Sequence, residues 1–164
     1  MKGGIFTTRV VDPYLKAHAA IYERTDGRIG KHSGGVPALL LTTTGRKTGL
    51  PRTHGLTYCR DRGDVVVVAS NGGSDRPPAW LLNLQAEPRV TVRLGRRVTG
   101  ATARVAGPEE RAQLWPLVNR SNRGLSRVVH PGVTGRYDVY QRHTSREIAV
   151  VVITPDRPTR PDAA

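Results

Sequence analysis

The sequence predicts a mainly β protein, a small antiparallel barrel of about six strands with three peripheral helices. Short β-prone segments follow one another at hairpin spacing, separated by turn signals such as the Asp-Arg-Gly-Asp run at 61–64. Residues 65–69 contain an unbroken run of valines, which indicates a strand buried on both faces. Because strands this short must hide their edges by closure or by a helix cover, the pattern indicates a barrel.

The chain of 164 residues is long enough for one domain with a sizeable core. We expect a single domain over residues 1–155 and a disordered, proline-containing tail over residues 156–164. The single cysteine, Cys59, excludes an intramolecular disulfide. The N-terminus has no secretion signal and no apolar run is long enough to cross a bilayer. These features indicate a cytoplasmic protein, and they leave open a peripheral association with the inner face of the cell membrane.

The chain begins with a predicted helix over residues 12–24. Asp12-Pro13 has the form of an N-cap followed by proline at the first helical position, and Tyr22 continues an apolar stripe at helical spacing. After a glycine-rich connector, the pattern predicts strands at residues 38–43, 52–60, 65–69, 89–94, 98–105 and 148–154.

Two later helices are predicted, and each begins at or directly after a proline. A short one over residues 79–85 follows a double proline. The second begins at Pro108 with acidic residues in its first turn, and Pro116 should kink or shorten it. Residues 119–136, rich in glycine and arginine, show no pattern that can be assigned.

The charge balance is the compositional outlier. Lys and Arg number 26 against 13 Asp and Glu, which gives a net charge of +13 and a pI of about 11.1. This balance favours an anionic partner: nucleic acid, an acidic membrane surface or a polyanionic small molecule. An arginine-rich source proteome would explain the charge equally well, so charge alone does not decide.

The sequence argues against three common kinds of site. Its five histidines include no i, i+4 pair and there is no Cys-x-x-Cys, so no metal site is predicted. The absence of Gly-x-Ser-x-Gly weakens a hydrolase interpretation. The run around Lys47 is not a Walker A loop, because Arg46 stands where that motif requires the glycine directly before the lysine.

What remains is a set of anion-binding features at strand ends. Two glycines bracket Arg46, Lys47 and Thr48 in the turn after the first long strand, and Arg52 follows the next proline. A loop of small residues at 70–73 precedes the short helix. Their co-occurrence predicts a site for an anionic organic molecule that carries the difficult chemistry itself.

Aromatic side chains offer further candidates for this site. Trp80 is either a core residue or a wall against a flat heterocycle, with Asn83 fixing the local backbone. Tyr137 and Tyr140 lie three apart, so they share a face if the segment is helical. Two phenols on one face either donate hydrogen bonds to a carbonyl or quinone oxygen or cover the core.

Three motifs resemble the deazaflavin-dependent nitroreductase family in order and spacing. They are Leu-Thr-Thr-Thr-Gly-Arg-Lys-Thr-Gly-Leu-Pro-Arg at 41–52, Val-Val-Ala-Ser-Asn-Gly-Gly at 67–73 and Trp-Leu-Leu-Asn-Leu-Gln-Ala-Glu-Pro at 80–88. The resemblance implies a split β-barrel of the FMN-binding split-barrel-like type. It also implies coenzyme F420, an 8-hydroxy-5-deazaflavin with a phosphodiester and an oligoglutamate tail. The implied activity is hydride transfer from reduced F420 to a quinone, a nitroaromatic or an activated enone.

The same resemblance implies roles for individual residues. Those implied to hold the coenzyme are Arg46, Lys47, Thr48, Gly49, Pro51, Arg52, Ser70, Asn71, Gly72, Gly73, Trp80, Asn83 and Leu84. Within this set, the basic turn would hold the phosphate and the acidic tail. Ser70 and Tyr137 are implied to face the substrate as catalytic residues.

Two alternatives to F420 chemistry stay open. An FMN-dependent split-barrel reductase would hold the FMN phosphate on the same turn. A basic barrel that binds nucleic acid is weakened by the aromatic residues, which are only two Trp, five Tyr and one Phe and are scattered rather than arrayed for stacking. We therefore expect a small-molecule electron acceptor and no nucleic acid as the partner, and the sequence leaves the oligomeric state undetermined.

Overall fold

The computed structural model describes residues 17, 20–25, 30–33, 35–122 and 137–157. The strands within these residues are β1 (His32–Ser33), β2 (Val36–Thr44), β3 (Pro51–Thr57), β4 (Cys59–Asp61), β5 (Asp64–Val68), β6 (Arg89–Leu94), β7 (Arg97–Val105) and β8 (Val150–Pro155). The helices are α1 (Ala79–Ala86), α2 (Pro108–Ser121) and α3 (Tyr137–Arg142), with a 3₁₀ turn at Asn71–Gly73.

The strands form one antiparallel sheet that curls into a split barrel. Its order is β1-β2-β6-β7-β8-β5-β4, and β3 also pairs with β2. A single residue, Tyr58, separates β3 from β4. Because β3 pairs with β2 while β4 pairs with β5, this segment joins the two sides of the sheet. Among the described strands β3 pairs only with β2, so the barrel is split beside it. The predicted mainly β, split-barrel fold is confirmed.

All six predicted strands are present, but the one predicted over residues 52–60 is divided. At the division the Tyr58 N–H donates to Pro37 O at 3.0 Å, and the next residue pairs with β5 instead of β2. The chain thus changes neighbours in mid-segment, which a sequence pattern does not reveal. The two-residue strand β1 was not predicted, because it is too short to show a periodicity.

The valine-rich strand β5 lies between two hydrophobic clusters, as its sequence predicted. Val65 and Val67 belong to the cluster inside the barrel. Val66 and Val68 belong to an outer cluster that α2 and α3 cover. The outer face of this part of the sheet is therefore shielded from water by helices, which is the helix cover expected for short strands.

The short helix α1 packs its apolar side chains into the barrel. Trp80, Leu81 and Leu84 all belong to the interior cluster. The helix begins directly after the double proline, as expected. Asn83 is buried beside these residues, and this places one amide side chain at the edge of an otherwise apolar cluster.

Of the two effects predicted for Pro116, a kink or a shortened helix, the shortening is wrong. Helix α2 runs without interruption from Pro108 to Ser121. Proline lacks the N–H that would bond to the carbonyl of Ala112. Both residues are exposed, so that carbonyl remains open to water and the helix continues.

The described part of the N-terminal helix is residue 17 and residues 20–24, and the rest of the helix predicted over residues 12–24 lies outside the described residues. Tyr22 is fully buried. Its hydroxyl donates to Ala38 O at 3.3 Å and accepts from Gly95 N at 2.6 Å, which fastens this helix to the sheet. No helix in the described ranges is long and apolar enough to span a bilayer.

Most of the predicted tail also lies outside the described residues. Its first residue, Asp156, accepts hydrogen bonds from both terminal nitrogens of Arg89 at 3.0 and 2.8 Å. The Asp156 N–H donates to Gly100 O at 2.9 Å. The chain is therefore anchored to the sheet at residue 156.

Candidate functional site

The turn between β2 and β3 is wound tightly around Gly45. The Gly45 N–H donates to Leu50 O at 2.8 Å, and the Gly45 carbonyl accepts from Thr48 N at 3.1 Å and from Gly49 N at 2.7 Å. A Cβ on Gly45 would lie 2.9 Å from Thr48 Oγ1 and 3.0 Å from Leu50 O. Gly49 has a φ of +70°, which glycine adopts without strain. The two glycines thus fix the path of the basic residues between them.

Asn83 fixes the direction of this turn from inside the barrel. Its Oδ1 accepts hydrogen bonds from Arg46 N at 3.2 Å and from Arg46 Nη1 at 3.1 Å. Its Nδ2 donates to Thr43 Oγ1 at 3.1 Å. With only 4% of its surface exposed, Asn83 uses both ends of its amide to join α1 to the turn. The sequence suggested a backbone-fixing role for Asn83, and these bonds also orient a guanidinium.

The turn concentrates positive charge that forms no ion pair with an acidic side chain among the described residues. Arg46, Lys47 and Arg52 are all exposed. The ion pairs found among the described residues are Arg89–Asp156, Arg104–Glu110 and Arg111–Glu147. None of them involves the turn, so three cationic side chains face solvent together. Such a group binds phosphate and carboxylate oxygens.

The loop after β5 forms a second group of predicted site residues. Asn71, Gly72 and Gly73 have positive φ angles of +46°, +61° and +78°. Gly73 N donates to Ser70 O at 2.9 Å and Ser74 N donates to Asn71 O at 3.1 Å. A Cβ on Gly72 would meet nothing within 4 Å. The loop is therefore closed by its own hydrogen bonds and open on one side to an approaching ligand.

The segment that begins with α3 holds this loop in place. A Cβ on Gly73 would lie 3.0 Å from Tyr140 O, so only glycine allows the two backbones to pack this closely. Thr144 Oγ1 donates to Asp75 Oδ1 at 2.7 Å. The guanidinium of Arg146 donates to carbonyls at both ends of the loop. Nothing local in the sequence marks Arg146 among 26 basic residues, so sequence reasoning missed it.

Tyr137 lies against the outer face of the barrel rather than in open solvent. Only 7% of it is exposed, and its hydroxyl shares a 3.0 Å hydrogen bond with Thr57 Oγ1 across the gap to β3. Burial raises the pKa of Tyr137 to about 12, against the lowering effect of the Thr57 bond. Burial also raises the pKa of Tyr140, whose ring centroid lies 6.4 Å from that of Tyr137. The two phenols share a face of α3, as their spacing suggested.

The predicted residues thus fall into two groups. One is the basic turn with Asn83, and the other is the loop at 70–73 with α3. Trp80 and Leu84 lie in the barrel core with 4% and 2% of their surface exposed, so Trp80 is a core residue here. Their position on α1 holds Asn83 against the turn.

Comparison with known proteins gives one consistent match. The family model described as F420H(2)-dependent quinone reductase matches residues 14–155. The chain is similar to the F420H(2)-dependent quinone reductase Rv1261c of Mycobacterium tuberculosis. The two are 45% identical over 143 residues, which cover 85% of this chain and 89% of that protein.

Solved structures agree with this match. The F420-H2 dependent reductase FDR-A aligns with a TM-score of 0.58 and 35% identity, covering 71% of this chain and 93% of its own. A chain described as a domain-swapped dimer aligns with a TM-score of 0.56 and 32% identity, covering 82% and 96%. HutZ, a heme storage protein from Vibrio cholerae, reaches a TM-score of 0.50 at 12% identity, covering 85% and 91%, and this likeness concerns the fold alone.

Proposed function

The chain belongs to the F420H(2)-dependent quinone reductase family, and from this premise we propose which of its residues hold the coenzyme and its electron acceptor. The protein is an F420-dependent oxidoreductase that transfers a hydride from reduced F420 to a quinone-type acceptor. When bound, reduced F420 supplies the hydride. The observation that carries the residue assignment is the basic turn, whose cations have no carboxylate partner among the described residues and whose Arg46 is oriented by Asn83.

We assign the anionic half of the coenzyme, its phosphate and acidic tail, to this turn. Arginine offers a planar fork of donors that matches phosphate and carboxylate oxygens, and lysine adds a point charge. Because Asn83 already holds Arg46, less side-chain freedom is lost when the coenzyme binds. The residues of this proposed clamp are Arg46, Lys47, Thr48, Gly49, Pro51 and Arg52.

The loop residues Ser70, Asn71, Gly72 and Gly73 are proposed to line the rest of the coenzyme site. The open side of Gly72 lets a ligand approach the backbone closely. Three further residues of the proposed site, Trp80, Asn83 and Leu84, are buried. They act by holding α1, and with it the turn, at a fixed distance from the barrel.

Ser70 and Tyr137 are proposed to serve the acceptor. The Ser70 hydroxyl is partly exposed and makes no hydrogen bond within the described part of the chain, so it is available to an acceptor oxygen. Tyr137, with a pKa of about 12, keeps its proton at neutral pH and acts as a hydrogen-bond donor rather than as an acid. Its bond with the partly exposed Thr57 orients both hydroxyls.

Titration of the protein with oxidised F420, followed by the fluorescence of the coenzyme, tests this division of the site. We expect Lys47→Ala and Arg52→Ala each to raise the Kd about tenfold, because each removes charge-assisted hydrogen bonds. Arg97→Ala removes an exposed charge elsewhere and should leave the Kd within about twofold. Tyr137→Phe should lower kcat and leave the Kd unchanged. Absence of saturable binding by the wild type would contradict the function, and loss of binding in Tyr137→Phe would contradict the division.

We further propose that the protein rests on an anionic membrane surface while it reduces its acceptor. The Tyr22 hydroxyl accepts a hydrogen bond from the β6–β7 turn, so the N-terminal helix lies beside the exposed Arg96 and Arg97. Two apolar side chains of this region, Ile21 and Val98, are 48% and 50% exposed. Together with the net charge of +13, these features suit an acidic lipid surface.

Sedimentation with lipid vesicles tests the membrane proposal. The wild type should bind phosphatidylglycerol vesicles at low salt, bind phosphatidylcholine vesicles poorly, and be released as salt rises. The double variant Arg96→Gln, Arg97→Gln should bind the anionic vesicles about 30-fold more weakly, at about 1 kcal/mol per arginine. Equal binding of the two proteins would show that this surface does not contact lipid.

A further inference from the structure

One partly buried guanidinium ties together both ends of the loop over residues 70–74. Arg146 Nη2 donates to Ser70 O at 2.8 Å and to Ala69 O at 3.1 Å, and Arg146 Nε donates to Ser74 O at 2.8 Å. The planar fork of arginine serves all three carbonyls from one position. A single side chain therefore fixes where the loop starts and where it ends.

Two of these carbonyls belong to the peptide groups that carry the N–H of Ser70 and the N–H of Asn71. The described part of the chain has no cis peptide, and in a trans peptide the C=O and the N–H point in opposite directions. Both N–H groups therefore point away from Arg146. Neither makes a hydrogen bond to a described residue, and the N–H of Gly72 makes none either.

The backbone conformation makes these donors converge. Ser70 is right-handed, with φ −71° and ψ −36°, and Asn71 has a left-handed φ of +46°. Successive residues of opposite hand form a concave nest of N–H groups that binds anionic oxygens. The loop thus presents a concave set of donors on the side opposite Arg146.

The charge of Arg146 strengthens this arrangement. Arg146 forms no ion pair in the described ranges, although Asp75 lies near enough to raise its pKa. Burial is the larger effect and lowers the pKa of Arg146, yet arginine stays charged at neutral pH. A charged donor on a carbonyl polarises the peptide group and makes its N–H a better donor.

We propose that Arg146 is a positioning residue for the coenzyme: through the Ala69–Ser70 and Ser70–Asn71 peptide groups it aims and strengthens two N–H donors that bind an electron-rich oxygen of F420. Arg146 itself does not touch the coenzyme. This inference rests on the proposed function and adds to it a residue that no sequence motif marked.

Two substitutions at Arg146 test the inference. Arg146→Gln removes the charge, and Arg146→Lys keeps the charge but loses the fork that reaches three carbonyls. Arg142→Gln is the matched control, because Arg142 is an exposed residue of α3 and loses the same charge. In the coenzyme-free protein, amide hydrogen exchange over residues 69–74 should speed up in both Arg146 variants and not in the control. Fluorescence titration with oxidised F420 should show a Kd raised about tenfold or more in both variants and within about twofold in the control.

The outcomes separate this inference from the proposed function. Failure of the wild type to bind F420 would overturn the proposed function. If the wild type binds and both Arg146 variants bind as tightly, the positioning role is wrong while the proposed function stands. A rise in the KM for the quinone with an unchanged Kd for F420 would also overturn it, because the donors would then serve the acceptor. Thermal melting identifies a variant that has not folded, and if Arg146→Gln is such a variant, the Arg146→Lys titration decides.

Discussion

Asn83 and Arg146 organise the candidate site at the scale of single residues, although both are less exposed than the turn cations. Asn83 accepts two hydrogen bonds from Arg46, and Arg146 donates three to the loop over residues 70–74. The sequence indicated a role for Asn83 but none for Arg146. Asn83 stands in a motif three residues after Trp80, whereas Arg146 reaches carbonyls more than seventy positions away. Contacts of that range leave no local pattern.

Tyr137 gives a prediction that depends on pH. Its pKa is about 12 in the folded protein, against about 10 when the chain is unfolded. Between these values the unfolded chain loses the proton first, so the free energy of unfolding falls as pH rises from about 10 to 12. A shift of this size corresponds to about 2–3 kcal/mol that is fully present below pH 10.

Urea unfolding of the wild type and of Tyr137→Phe at pH 8 and at pH 12 isolates this contribution. At pH 8 the wild type should be more stable by about 1 kcal/mol, because it keeps the hydrogen bond to Thr57. At pH 12 the order should reverse, because only the wild type loses stability through this phenol. A difference between the two proteins that stays constant with pH would contradict the burial of the Tyr137 hydroxyl.

At the scale of elements, the strands were predictable and their closure was not. Alternation, valine content and turn residues are local signals, and they predicted six strands in nearly their observed places. The barrel closes because the chain changes partners at Tyr58, from β2 to β5. That change depends on strands that lie on both sides of the segment in space. It also creates the split beside β3, across which Tyr137 reaches Thr57.

Because the loop packs on α3, we predict that alanine substitutions at two neighbouring glycines lower the free energy of unfolding by different amounts. Gly72 and Gly73 both have positive φ, but a Cβ would meet open space at Gly72 and the backbone of Tyr140 at Gly73. Gly72→Ala should therefore cost about 1 kcal/mol of unfolding free energy, the price of a left-handed alanine. Gly73→Ala should cost about 2–4 kcal/mol, because α3 must also move.

Urea unfolding of the two alanine variants is the measurement, with each variant serving as the control for the other. Their backbone strain is similar, so any additional loss in Gly73→Ala reports the contact with Tyr140. Equal losses would show that the loop does not pack on α3 in solution.

At the scale of the whole molecule, part of the excess positive charge lies in two defined surface regions. Part of it is the basic turn, and part is the β6–β7 end where Arg96 and Arg97 are exposed. The sequence motifs located the turn, because its residues are contiguous and basic side chains between glycines indicate anion binding. The attachment of the turn to α1 required the fold, because Asn83 bonds to Arg46 and Thr43, which lie 37 and 40 positions earlier in the chain.

The central claim is that the β2–β3 turn holds the phosphate and acidic tail of F420. The most direct measurement compares the Kd of oxidised F420 with the Kd of the same deazaflavin lacking its phosphate and tail. It is made on the wild type and on the double variant Lys47→Ala, Arg52→Ala. We predict that the double variant binds F420 about 100-fold more weakly, by loss of charge-assisted bonds, and binds the truncated compound as the wild type does. An equal loss of affinity for both compounds would contradict the claim, because the turn would then not recognise the part of the coenzyme assigned to it.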